Sequence, residues 1–166
     1  MGLSGLILDK NQNRNLLKLK KEILDIFFSL SCDCYDFNEN LRGEEFCSVG
    51  VNKFFPNGQE VRFVMYIFGR CGEKECETFE WTDKKLYTGV LIEDIADCEK
   101  LVLDFLVKFF ENHPDVIFYD ELDWYYTKED IEKIYSLNNI PEDWCYKRPE
   151  GILKNNVYLD HMNKER

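Results

Sequence analysis

The chain reads as an α+β fold, an antiparallel meander sheet of about four to five strands with helices packed mainly on one face. Three observations predict it. Segments rich in Val, Ile, Phe and Tyr crowd between about residues 45 and 92 and are joined by short turn signals. Two longer segments carry apolar residues at three- and four-residue steps. At 166 residues, 45% hydrophobic and 15% aromatic, the chain has the material for one core and no bias toward disorder, so a single domain over 1–166 is expected.

The elements follow in order. Over about 14–30, Leu16, Leu19, Ile23, Ile26, Phe27 and Leu30 alternate with Lys18, Lys20, Lys21 and Asp25, which predicts an amphipathic helix. "DCYDFNEN" then breaks the pattern and turns the chain. "FCSVGVNKFF" and "EVRFVMYIF" flank "PNGQ", where Pro56 and the pair Asn57-Gly58 suit a tight turn, so they form a β-hairpin. The polar connector "GRCGEKEC" leads to a third strand at "TFEWT", and "DKK" turns into a fourth at "LYTGVLI". Over about 94–111, Ile95, Cys98, Leu101, Val102, Phe105, Leu106, Phe109 and Phe110 make a wide apolar face, and Pro114 ends this central helix. "VIFYD" is a short buried strand added to the sheet. Thr127 with Asp130 forms a capping box that opens the helical part of a loop-and-helix segment over about 119–138. The C-terminal tail "ILKNNVYLDHMNKER" reads as a short strand.

Charge and chemistry narrow the function. There are 32 acidic and 21 basic residues, a net charge of −11 and a pI near 4.7. The excess is uneven: residues 1–35 hold five basic and four acidic side chains, whereas 115–150 hold ten acidic and four basic ones. Such a surface repels nucleic acid and attracts basic partners. "MGLSGLILDK" turns polar at "NQNRN" too soon for a secretion signal, and seven cysteines fit reduced thiols, so a cytoplasmic location is expected. No stretch approaches the roughly 18 apolar residues of a membrane span. Cys32, Cys34, Cys71 and Cys76 lack the tight C-x2-C spacing of zinc knuckles. No metal or other cofactor is expected. Only His113 and His161 could act as imidazole bases, and no nucleophile elbow, zinc-protease or phosphate-loop motif occurs.

One stretch stands out: "YDELDWYYTKEDIEKIY", Tyr119 to Tyr135. Asp120, Glu121 and Asp123 are adjacent in sequence rather than gathered from separate elements, which suits a metal or hydrolase site poorly. Flanked by Trp124 and Tyr125 and extended by Glu129, they suit an interface better, because aromatic rings bury area with few torsions while carboxylates pair with Arg or Lys. A second acidic surface is Glu73, Glu75, Glu77 and Glu80. The expectation is a protein-binding protein and no enzyme. A metal-dependent hydrolase using Asp120, Glu121 and Asp123 and a general acidic adaptor are the alternatives.

In size, acidic charge, absence of catalytic signatures and the "YDELDWYY" type of surface, the chain resembles the immunity proteins of bacterial polymorphic-toxin systems, including those of contact-dependent growth inhibition. The resemblance implies a cytoplasmic protein that binds and neutralises one cognate toxin domain, commonly a basic nuclease. Under it Asp120, Glu121 and Asp123 meet toxin cations, and Trp124 and Tyr125 are the buried anchors.

Overall fold

The computed structural model describes residues 3–36, 46–70, 78–81, 84–122 and 124–154. Its strands are β1 (Gly5–Asp9), β2 (Asp33–Asp36), β3 (Phe46–Phe54), β4 (Glu60–Phe68), β5 (Thr78–Trp81), β6 (Lys84–Glu93), β7 (Ile117–Asp120) and β8 (Tyr125–Tyr126). The helices are α1 (Leu16–Ser29), α2 (Glu99–Asn112), α3 (Lys128–Tyr135) and α4 (Pro149–Lys154), and Trp144–Tyr146 form a 3-10 turn. No helix among the described residues is long and apolar enough to cross a membrane.

The α+β class and the antiparallel sheet match the expectation, but the sheet is larger and is no simple meander. Among the described residues, seven strands run in the order β2-β3-β4-β6-β1-β7-β8, and β5 pairs with β6 off that path. The difference lies in short strands that single-segment patterns do not mark. "GLILD" has no period-2 alternation because both of its faces are covered, and "DCYD" is an edge strand of mostly exposed residues. Each is a strand because a partner supplies its hydrogen bonds: β1 lies between β6 and β7, and β2 pairs with β3.

The β3–β4 hairpin forms as predicted, with Gly58 at φ +85 in its turn. The capping box forms too, with the Thr127 hydroxyl accepting from Asp130 N at 3.2 Å and the Asp130 carboxylate accepting from Thr127 N at 2.9 Å. Asn15 caps α1 by accepting from Lys18 N at 3.0 Å. At the other end, the Lys53 ammonium donates to Leu30 O at 2.9 Å. The central helix starts five residues later than expected, at Glu99 rather than Asp94. Asp94 and Asp97 take positive φ, +61 and +66, which a right-handed helix excludes. Cys98 therefore occupies the position before α2 instead of its apolar face, yet is still buried, its thiol 3.4 Å from Arg62 O. The part of the C-terminal tail within the described residues is helical, not a strand; the rest lies outside them.

Burial explains the layering. Val49, Val51, Phe63, Met65, Ile67, Val90 and Ile92 share a core with the buried faces of α1, α2 and α3. Leu8, Leu86 and Ile117 form a separate cluster with Leu6, Tyr119 and Tyr125. Within the main core Phe27 stacks on Phe105 at 4.7 Å and meets Phe63 edge-on at 5.6 Å. A bulge lets β6 serve both clusters. Ile7 is paired with Val90 but Leu8 with Thr88, so Gly89 is the extra residue and the facing of β6 inverts there.

A Cβ on Gly5 would lie 2.5 Å from Phe118 Cε2, and the Phe118 ring is boxed in by Tyr126 and Trp144, so Gly5→Ala lowers unfolding stability by about 1–3 kcal/mol. Gly151, in α4 with open space around it, gains about 0.5–1 kcal/mol as Ala; urea unfolding of both variants checks the contrast. Burial pushes the Cys47 and Cys98 thiols up to about 11 from an ordinary 9.0. The native protein should therefore resist iodoacetamide at these two cysteines at pH 8, read by peptide mass mapping. Because the unfolded thiols ionise first, their contribution to stability is complete below pH 9 and is lost as pH rises toward 11.

Candidate functional site

The acidic-aromatic stretch begins where β7 ends. β1 and β7 pair in a register that sets Gly5 opposite Asp120, and Glu121 N donates to Ser4 O at 3.3 Å. The chain then doubles back, with Asp120 N donating to Trp124 O and β8 returning beside β7. Alternate residues consequently part ways.

Asp120 is fully buried, which corrects its expected place on a partner-facing surface. Its Oδ1 accepts from Leu122 N at 2.9 Å and Trp124 N at 3.0 Å, while the Tyr126 hydroxyl lies 3.4 Å from Oδ2. A carboxylate buried at the mouth of a tight loop satisfies amides that would otherwise face an apolar core. Tyr126, also fully buried, lies between this carboxylate and the backbone carbonyls of Trp144 and Lys147. Burial first and the Asp120 charge second raise its phenol pKa, so it stays a hydrogen-bond donor. Phe118, Tyr126 and Trp144 pack at centroid distances of 5.4–5.8 Å, and Trp144 Nε1 donates to Glu99 O at 2.7 Å. These rings belong to the core.

The outward residues are Glu121 and Leu122, both exposed, followed by the half-buried Trp124 and Tyr125. Trp124 carries the Arg148 guanidinium 4.5 Å above its ring, so one of its faces already holds a cation. Tyr125 packs on Tyr119 at 4.8 Å. Glu129 is exposed on α3, its pKa lowered by the hydrogen bond from Lys133 and that residue's charge. Asp123, Glu73, Glu75 and Glu77 lie outside the described residues, as does the side chain of Glu80.

The fold brings further carboxylates to Glu121 that sequence reasoning missed. Glu93 and Asp94, at the end of β6, join Glu121, Leu3, Ser4, Ala96 and Tyr146 around an open cleft of about 570 Å³. Among its described lining residues there is no Lys or Arg. The Tyr146 hydroxyl donates to Glu99 Oε1 at 2.8 Å, and burial followed by that bond raises its pKa. Only the pairing of β1 with both β6 and β7 makes Glu93 and Glu121 neighbours, and "IED" by itself carries no such signal. No group of three or more His, Cys, Asp and Glu side chains among the described residues is arranged to hold a metal ion.

Removing the Asp120 carboxylate strands two amides in a buried loop, so Asp120→Ala costs about 2–4 kcal/mol of stability in urea unfolding. Asp120→Asn, which keeps an acceptor oxygen, costs less. Comparison with protein-family models, curated proteins and solved structures finds no match for this chain.

Proposed function

We propose that this protein is an immunity protein: it binds a cognate, basic nuclease toxin domain and neutralises it in the cytoplasm without catalysis of its own. The observation that carries the reading is the cleft lined both by Glu93 and Asp94 at the end of β6 and by Glu121 after β7, with no cation among the described lining residues. Carboxylates gathered this way offer a partner's Arg or Lys a place to pair, and in the chain just after Glu121 the exposed Leu122 and the half-buried Trp124 offer apolar and aromatic surface to pack on. A net charge of −11 speeds encounter with a basic protein and disfavours nucleic acid.

The hydrolase alternative loses its geometric basis at two of its three residues. Asp120 turns inward to hold backbone amides while Glu121 faces solvent, so the pair does not converge on one reacting atom. An adaptor differs from an immunity protein only in its partner, and the partner's identity separates them.

Co-purification of the tagged chain from its native lysate at low and high salt, followed by a toxicity assay of whatever is retained, tests the reading. The expected result is one stoichiometric basic protein whose growth-arresting activity the chain suppresses. With that protein in hand, Trp124→Ala should weaken binding by about 2–4 kcal/mol, and Glu121→Gln should chiefly slow association and flatten its salt dependence. Unchanged affinity and kinetics for both variants would move the interface elsewhere, and a retained protein without toxicity would favour the adaptor.

A further inference from the structure

At the other end of β1 the chain builds a second cleft, of about 290 Å³, between the start of α1, the β6 bulge and the end of α2. Arg14 lines it, with only 9% of its side-chain surface exposed. The guanidinium lies against Gly89, where a Cβ would sit 3.1 Å from Nε and 3.2 Å from Cζ, so the bulge glycine is what admits it. Nε donates to Asp9 Oδ2 at 3.3 Å and Nη2 to Tyr87 O at 3.5 Å, both long contacts. Nη1 is covered and has no hydrogen-bond acceptor among the described residues.

A buried guanidinium N–H without an acceptor is costly, and proteins rarely keep one that nothing ever meets. The surroundings say what kind of acceptor fits. α1 starts at the cleft with no acidic residue in its first turn, so the positive end of the helix is not offset by its own side chains, and the exposed Lys18 lines the cleft as well. Asp9 and Glu22 also line it and limit the negative charge it can accept, while Ile7, Leu19 and Phe109 provide an apolar wall. We propose that this cleft is a binding site for a small organic monocarboxylate with an apolar body, its carboxylate taken by Arg14 and Lys18 and its body laid on the apolar wall. The site is independent of the toxin-facing surface, since Asp9 and Gly5 stand at opposite ends of β1.

The test is an amide-resolved NMR titration of the full chain with phenylacetate, phenylacetamide and inorganic phosphate. A guest of about ten non-hydrogen atoms should bind with a Kd of order 1–10 mM. Phenylacetate is expected to give saturable shifts centred on Asn13 to Leu19, with phenylacetamide and phosphate each at least tenfold weaker. Arg14→Gln should lose at least tenfold in affinity. Lys18→Gln, at an exposed position that keeps the fold, should lose about threefold, and it decides the matter if Arg14→Gln does not fold. Absence of saturable shifts at these amides overturns the proposal. So does equal binding of phenylacetamide, which would make the cleft merely apolar, or equal binding of phosphate, which would make it a general anion site. Unaltered affinity in Lys18→Gln together with unaltered affinity in any folded Arg14 variant overturns it as well.

Discussion

The placement of β1 inside the sheet is the constraint on which the rest depends. Five residues near the N-terminus separate β6 from β7 and hydrogen-bond to both. Strands of low sequence proximity are thereby locked into one sheet, and the register decides what meets at each end. Gly5 stands opposite Ile92 and Asp120, while Asp9 stands opposite Tyr87. The close approach of Phe118 to Gly5 makes this position intolerant of any side chain, so register and core packing specify each other.

The Asp120 carboxylate extends that order into the segment richest in aromatic rings. A sharp reversal after β7 leaves amides that the sheet cannot pair, and a single buried acidic side chain accepts from two of them while facing the Tyr126 hydroxyl. Tyr126 reaches on to the backbone near Trp144 and Lys147, which ties the C-terminal 3-10 turn to the sheet. Glu121 and Trp124 are therefore displayed by a rigid support, and a surface held in one conformation loses less entropy on binding a partner.

The two clefts divide the electrostatics of the molecule. At one end of β1 the described lining residues include three carboxylates and no cation; at the other, Arg14 and Lys18 stand beside Asp9 and Glu22 in near balance. A protein of strongly negative net charge thus keeps a recess whose charged lining residues are near balance at the end of β1 opposite the acidic cleft.

Much of the architecture is legible in the amino-acid order because it is set by local physics. The periodicity of α1, the Asn57-Gly58 turn, the Thr127–Asp130 box and the apolar face from Leu101 to Phe110 each satisfy a requirement within a few residues, and each forms. The acidic imbalance of the chain is likewise a property of sequence alone. What tertiary structure decided is everything that a distant partner supplies. "GLILD" becomes a strand only because β6 and β7 flank it, and Glu93 joins Glu121 only through that pairing. Asp120 and Glu121, chemically alike and adjacent, end with opposite fates because Asp120 is the last residue of β7 and turns into the core to hold the amides of the reversal, whereas Glu121 opens the exposed turn, and which side is inward is fixed by the core that the whole chain builds.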